Sequence, residues 1–315
     1  MNPKQQPIDS RFNAQSTADE VAAGHDLRGK NVVVTGGSAG IGFEIVQTLS
    51  RAGANVVVGA RNAGKAKARL EGLPNVSYHP LDLADPVSVE AFAKQYLAAH
   101  QALHYLFNNA GVFFPPEITT DKRGYELQFG ANHLGHFQLS GLLWPALKKA
   151  GNARVIAHSS VGHRRMALLL DDLNFERHPY DPVKAYAQSK TANALFAVHL
   201  NKAGQPHGVK AYAVHPGAIL TDVVLHMSEA ELEAWKQRVK NFKTPAQGAA
   251  TAVWCALSEQ LDGIGGVYCE DCNIAPFVAD DETIIYGVRS YASDPELAAA
   301  LWQFSEKVTG VEWPA

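Results

Sequence analysis

A short β-branched run at 31–35, Asn-Val-Val-Val-Thr, leads straight into Gly36-Gly37-Ser38-Ala39-Gly40-Ile41-Gly42 and then into an amphipathic pattern lasting to about Arg51. Strand, glycine-rich turn and helix in that order point to an α/β architecture, in which helices cover the strands they leave. The turn also has a chemical reading. Its amide groups and the following helix N-terminus can hold a pyrophosphate, while Gly36, Gly40 and Gly42 allow a tight turn, close backbone approach and helix-on-strand packing. The spacing, Gly36-x-x-x-Gly40-x-Gly42, differs from G-x-G-x-x-G, and alone it is moderately specific.

The alternation continues along the chain. Strand signals recur at 55–59, 76–79, 104–107, 153–158, 210–214 and 266–268, separated by helical patterns at 63–71, 87–100, 122–149, 182–202 and 245–258. Continuous apolar strands between helices predict a Rossmann-type doubly wound parallel sheet of about seven strands, covered on both faces. No repeat, low-complexity segment or linker interrupts the pattern. One domain is therefore expected at 27–315, preceded by an arm at 1–26, with a lid near 221–242 and an extension at 271–315 ending in a helix near 295–308.

Composition narrows the function by exclusion. Of 315 residues 46% are hydrophobic and 19% charged, with net charge −3, so no basic footprint for nucleic acid is present. The polar N-terminus lacks a signal peptide's apolar stretch, and no later segment reaches the roughly eighteen apolar residues of a membrane span. A cytoplasmic location is expected. Three cysteines, Cys255, Cys269 and Cys272, exclude a disulfide scaffold. The lone pair Cys269-Glu270-Asp271-Cys272 lacks the second pair a zinc site needs, and His133 and His136 have no third ligand at metal spacing. No metal is expected, and both histidines read as packing and hydrogen-bonding residues. A homodimer or homotetramer is left open.

Tyr186-Ala187-Gln188-Ser189-Lys190 places a phenol and an ammonium four apart in the helical pattern at 182–202, on one face. Tyrosine titrates near 10, and a cation nearby favours the phenolate, which suits general acid–base work. Tyr-x-x-x-Lys alone is weak, since many solvated helix faces carry it. Downstream of the glycine loop it gains weight.

In that order the chain resembles the short-chain dehydrogenase/reductase family over roughly 27–268. The resemblance is carried by the glycine loop, Asp82, Asn108-Asn109-Ala110-Gly111, Asn132, Ser159-Ser160, Tyr186 with Lys190, and Pro216-Gly217. Finer similarity to the retinol dehydrogenase and WW-domain-containing oxidoreductase branch lies in Ser16-Thr17-Ala18-Asp19-Glu20-Val21, Asn132-His133-Leu134-Gly135-His136-Phe137, Asp172-Leu173-Asn174-Phe175 and Ser189-Lys190-Thr191-Ala192-Asn193, without any WW module. The resemblance implies a catalytic tetrad of Asn132, Ser160, Tyr186 and Lys190. Tyr186 would exchange a proton with a carbonyl or alcohol oxygen, and Ser160 would stabilise its charge. Lys190 would favour the phenolate and bind the nicotinamide ribose, and Asn132 would hold a water that relays protons. Neighbouring serines in a strand point to opposite faces; family alignment favours Ser160, with Ser159 as the fallback. The segment 161–185 is longer than in the simplest members and reads as a loop over the pocket.

Ala60 and Arg61 end the second strand where a carboxylate would bind a ribose 2′-hydroxyl. Ala60 leaves room and Arg61 supplies a guanidinium for a 2′-phosphate, so NADP(H) is favoured, with NAD(H) the alternative. Ser38 and Ile41 join the glycine loop, Asp82 and Leu83 would border the adenine, and Asn109, Ala110 and Gly111 the adenosine ribose. Pro216, Gly217 and Thr221 would border the carboxamide. Apolar residues near the expected mouth, Val112, Phe113, Phe114, Met166, 168–170 and 220–225, suggest an apolar carbonyl or alcohol substrate, an aldehyde, ketone, retinoid-like or steroid-like compound. The competing classes are a catalytically silent nucleotide-binding regulator, signalled by a broken tetrad, and an epimerase or dehydratase of the extended relatives, which have other glycine spacings.

Overall fold

The computed structural model describes residues 2–220, 233, 237, 241–280 and 286–313. Its centre is one mostly parallel sheet of eight strands, ordered β3-β2-β1-β4-β5-β6-β7-β8. The strands are β1 (Asn31–Thr35), β2 (Asn55–Ala60), β3 (Val76–Pro80), β4 (Tyr105–Asn108), β5 (Arg154–His158), β6 (Lys210–His215), β7 (Val267–Glu270) and β8 (Asn273–Ile274). Neighbours from β3 through β7 pair in parallel, and β8 alone runs antiparallel, against β7. The chain builds outward from β1 to β3 and then returns to lay β4 on the other side of β1. That reversal opens a crevice at the carboxyl ends of β1 and β4, where α/β folds of this order bind their ligands.

The valine-rich strands follow from having two covered faces. Val32 and Val34 of β1, with Val56 and Val58 of β2, join one core cluster with Ile45, Leu49 and Trp254 from helices α2 (Gly40–Arg51) and α9 (Pro245–Leu257). Val33 and Val57 face the other way, into a cluster with Phe92, Phe137 and Phe196. These come from α4 (Pro86–Ala99), α6 (Gly135–Leu142) and α8 (Pro182–Gly204). A smaller cluster joins α8 to the last helix, α10 (Pro295–Thr309), through Phe129, Leu195 and Leu301.

One part differs from expectation. The segment 122–149 is not one helix. It starts as a single turn, α5 (Leu127–Phe129), where the Glu126 carboxylate caps the Phe129 amide at 2.9 Å; it widens into π-helix over Gly130–Leu134, resumes as α6 and breaks before α7 (Trp144–Ala150). Helical periodicity does not reveal a tertiary contact that accompanies these breaks: a Cβ on Gly135 would lie 2.3 Å from the carbonyl oxygen of Leu83, so the helix presses its backbone onto the loop after β3. The N-terminal arm is packed. Gln5 is buried, its amide donating to the Tyr268 and Ala275 carbonyls and accepting from the Tyr268 amide. It thereby closes the sheet edge where the two-residue β8 runs out. Further along, a capping box between Thr17 and Glu20 starts the short helix α1 (Ala18–Ala22), which packs on α2 and α9.

The extension beyond β8 adds a parallel pair of two-residue strands, β9 (Phe277–Val278) and β10 (Val288–Arg289). The expected lid at 221–242 lies almost wholly outside the described residues. Among the described residues no helix is long and apolar enough to cross a membrane.

Candidate active site

The glycine loop is interlocked with the loop after β4. The Thr35 hydroxyl, at the end of β1, accepts from the Asn109 amide at 2.9 Å and the Ala110 amide at 3.0 Å, while the Asn109 side chain donates to the Thr35 carbonyl at 2.8 Å. Gly36 sits at φ +67°, a conformation that favours glycine, and a Cβ on Gly42 would lie 2.5 Å from both the Gly36 oxygen and Asn109 Nδ2. Ala39, the N-cap of α2, gives no side-chain oxygen to that helix's first amides, which remain available to an anion beside Ser38, Gly40 and Ile41. These features fit a dinucleotide's pyrophosphate.

Arg61, just past β2, is exposed and makes no hydrogen bond or ion pair among the described residues, whereas Ala60 is buried. Asp82 folds on itself, its carboxylate accepting from the Ala84 amide at 3.0 Å and its own amide donating to Ser88 at 2.9 Å. Leu83 is buried against α6, and Ala110 and Gly111 lie half-buried in the loop after β4. Pro216 and Gly217 follow β6, with the Lys243 stem packed on Gly217. Thr221 lies outside the described residues, as do 222–225.

Helix α8 carries the tyrosine and lysine that the sequence singles out. Asp181 caps it through Val183 and Lys184, and Pro182 occupies the first turn. Tyr186 and Lys190 then fall one turn apart on its buried side. The Tyr186 ring and the Ser160 hydroxyl both face Gly162, where a Cβ would lie 3.0 and 3.4 Å from them, and the ring packs against Phe113 and Phe114, with centroids 5.3 and 5.0 Å away. Phe114 is held at φ +48°, a costly angle for a bulky residue, by the Gln128 side chain accepting from its amide at 3.0 Å. Ser159 points the other way and donates to the Lys190 carbonyl at 2.8 Å.

Two details depart from the expected chemistry. Burial pushes the Tyr186 phenol up to about 12, against a smaller lowering from Ser160. Lys190 does not draw it down, because its ammonium lies 5.5 Å from the ring centroid and donates to the His158 carbonyl at 2.9 Å; burial brings Lys190 itself down to about 7. Asn132, placed by the π-helical turn, commits its side chain to protein groups. It accepts from the Val112 amide at 2.7 Å and donates to the Val112 carbonyl and to Ser189 Oγ at 3.1 and 3.0 Å. Its carbonyl accepts from His136 Nδ1 at 2.9 Å, and His136 Nε2 meets the Thr35 hydroxyl at 2.8 Å. Ser160, Tyr186 and Lys190 thus come together directly, while Asn132 joins their helix through Ser189.

Sequence reasoning did not find His136, Ser189 or Gln128 as parts of this site. His136 carries a faint signal in its i+4 spacing from Asn132; the others carry none. Of the expected mouth residues, Leu168 and Leu170 pack into the small cluster with Phe129 and Leu195.

A glycine loop at a sheet reversal, beside a buried tyrosine and lysine and a half-buried serine, defines a nucleotide-dependent α/β enzyme. The model of the short chain dehydrogenase family matches residues 30–232, and the chain belongs to that family. It is 39% identical over 293 residues to a probable oxidoreductase of Streptomyces antibioticus, covering 89% of this chain and 97% of that one. Retinol dehydrogenase 12 of Mus musculus is 38% identical, with 91% of this chain and 88% of that one covered. Among solved structures, an uncharacterized protein from Mycobacterium paratuberculosis has a TM-score of 0.74 at 29% identity, covering 94% and 98% of the two chains. The Pseudomonas aeruginosa RhlG/NADP active-site complex has a TM-score of 0.64 at 25% identity, covering 78% and 95%. The protein is an NAD(P)-dependent oxidoreductase acting on CH–OH or C=O groups, of the retinol dehydrogenase branch.

Proposed function

We propose that this enzyme interconverts an apolar carbonyl compound and its alcohol, prefers NADP(H), and uses Tyr186 as its proton donor and acceptor. The observation that carries the reading is the Tyr186 ring and the Ser160 hydroxyl side by side over Gly162, with Phe113 and Phe114 packed against the tyrosine. A carbonyl oxygen placed between the two hydroxyls would accept from both. Ser160 then stabilises the charge that develops on that oxygen while Tyr186 supplies the proton, and in the reverse direction Tyr186 removes it. The nicotinamide, when bound, supplies or takes the hydride.

Gly36, Ser38, Gly40, Ile41 and Gly42 would hold the pyrophosphate, Asp82, Leu83, Asn109, Ala110 and Gly111 the adenosine half, and Tyr186, Lys190, Pro216, Gly217 and Thr221 the nicotinamide half. Arg61, exposed and without a partner among the described residues, would grip a 2′-phosphate. Phe113 and Phe114 favour a flat or greasy substrate over a small polar one. All three cysteines are free, which suits the reducing cytoplasm.

The test follows NADPH and NADH consumption with all-trans-retinal, decanal, a steroid ketone and acetaldehyde, in wild type and Arg61→Ala. Turnover should favour the first three substrates and NADPH. Arg61→Ala should weaken NADPH by roughly 1.5–3 kcal/mol, about ten- to a hundredfold, and scarcely alter NADH. Preference for acetaldehyde would remove the substrate class, and equal weakening of both nucleotides would remove the NADP assignment.

A further inference from the structure

His163 stands three residues after Ser160 in the 3-10 turn Val161–Arg165, and none of it is exposed (0%). Its Nδ1 lies 2.7 Å from the Ser160 carbonyl oxygen and its Nε2 lies 3.3 Å from the Arg289 amide nitrogen. A carbonyl can only accept and an amide N–H can only donate, so the ring is neutral with its proton on Nδ1. The backbone amide of His163 donates to the same Ser160 oxygen at 3.0 Å. The His163 carbonyl in turn accepts from the Tyr291 hydroxyl at 2.9 Å and the Thr191 hydroxyl at 3.2 Å, and its ring lies 4.8 Å from that of Tyr268. One side chain therefore joins the serine's backbone to β10, while its carbonyl ties the same turn to the residue after Lys190.

The serine needs such support. Ser160 is extended, at φ −164° and ψ 157°, and its hydroxyl accepts from the amide of Gly162, the residue that faces the Tyr186 ring, at 3.0 Å. Rotating the 160–161 peptide plane would carry the Gly162 amide away and free the hydroxyl to turn. His163 holds the carbonyl side of that plane. On the amide side His215 Nδ1 accepts from Val161 at 3.3 Å, and from Gly217 at 3.4 Å.

We propose that His163 is a positioning residue for Ser160, and that through it the C-terminal strand pair β9–β10 sets where the serine hydroxyl meets the substrate oxygen. This rests on the reading of Ser160 as a catalytic group. The strand pair sits more than a hundred residues from the serine in the chain, so the proposal makes the extension part of the catalytic apparatus rather than an appendage.

The experiment measures kcat and KM for all-trans-retinal and decanal, NADPH affinity and Tm in His163→Phe, His163→Asn, His163→Gln and Ser160→Ala. Phenylalanine keeps ring volume and removes both ring hydrogen bonds; asparagine restores a donor near Nδ1; glutamine restores an acceptor near Nε2. The expected result is a fall in kcat of about ten- to a hundredfold for His163→Phe, as misplacement of a reacting group by a fraction of an ångström to an ångström produces, with KM and NADPH affinity unchanged. His163→Asn, which keeps the bond to the serine carbonyl but not the one to β10, should recover kcat only in part whatever its Tm, and His163→Gln, which keeps only the bond to β10, should recover Tm but not kcat; full kcat in His163→Asn would overturn the share given to β9–β10. Wild-type kcat in His163→Phe beside an inactive Ser160→Ala would overturn the positioning role and leave the serine's role standing. Parallel movement of kcat and Tm across all three His163 variants would reduce His163 to a structural residue. Full activity in Ser160→Ala would overturn the proposal at its base, by removing the serine's own role.

Discussion

The two sides of the crevice are built by different means. On the nucleotide side, β1, the glycine loop and the loop after β4 meet through backbone groups and one hydroxyl, Thr35, and the parts lie in two short stretches of chain. On the catalytic side, the turn after β5 is held by buried polar side chains whose partners are remote. Arg164 donates through Nε and Nη2 to the Gly287 carbonyl at 2.9 and 2.6 Å and pairs with Glu270 at 3.3 Å, and Glu270 accepts from the Gly287 amide. His136, His158, His163 and His215 are likewise buried, or held by backbone groups of distant loops. A site for a constant ligand can be made from local backbone shape, whereas a proton-transfer site needs its groups aimed, and aiming uses contacts from the whole fold.

The largest expected effect separates the two sides cleanly. Tyr186→Phe removes the transferable proton and keeps the ring, so turnover should fall by about 10²- to 10⁴-fold while nucleotide affinity stays near wild type. Steady-state rates and a nucleotide titration on the same sample check this, and near-normal turnover would end the claim that this side carries the chemistry.

Acid should damage the catalytic side first. Burial lowers His133, His158 and His163 to about 3 and His136 to about 4, so they are neutral in the fold, whereas the unfolded chain binds protons on them near 6.5. The unfolded state therefore gains protons that the folded state refuses, and stability is full above about pH 6.5 and lost as pH falls below it. Each contributes at most about 1.4 kcal/mol per pH unit. Glu270 acts in the opposite sense: burial raises it to about 7, so its contribution is present below its ordinary value and lost as pH rises toward 7, which offsets one histidine. Tm measured at pH 7, 6 and 5 should fall steeply. A flat profile would mean the histidines take up protons without cost.

A backbone-level change should do the reverse of Tyr186→Phe. Gly42→Ala drives a methyl against the Gly36 oxygen and Asn109, neither of which is a flexible chain end, so nucleotide affinity should drop by about tenfold or more while the placement of Tyr186 and Ser160 is untouched. Calorimetric titration with NADPH gives the answer, and unchanged affinity would show that the loop can shift without consequence. Ser159→Ala is the smallest of the set. It deletes one buried bond to Lys190 and should cost about 1 kcal/mol of stability with little change in kcat. A large loss of kcat would move the reacting hydroxyl to Ser159.

Much of this was legible in the chain as written. The valines of β1 and β2, the glycine turn, the Asp181-Pro182 helix start and the shared face of Tyr186 and Lys190 are all statements about neighbours within a few residues, and periodicity and turn chemistry report such neighbours directly. The order of those signals also implied the sheet and its crevice, since the class of fold follows from the sequence of strand and helix. What needed the folded chain was every relation between residues distant in sequence: the breaks in 122–149 where Gly135 meets Leu83, the choice between two adjacent serines, and the grip of His163 on Ser160. The direction of the Tyr186 shift belongs with them, because it depends on how much water the packed rings exclude and on which side of the ring Lys190 comes to rest. No local pattern encodes either quantity, for both are properties of the space that remote segments enclose together.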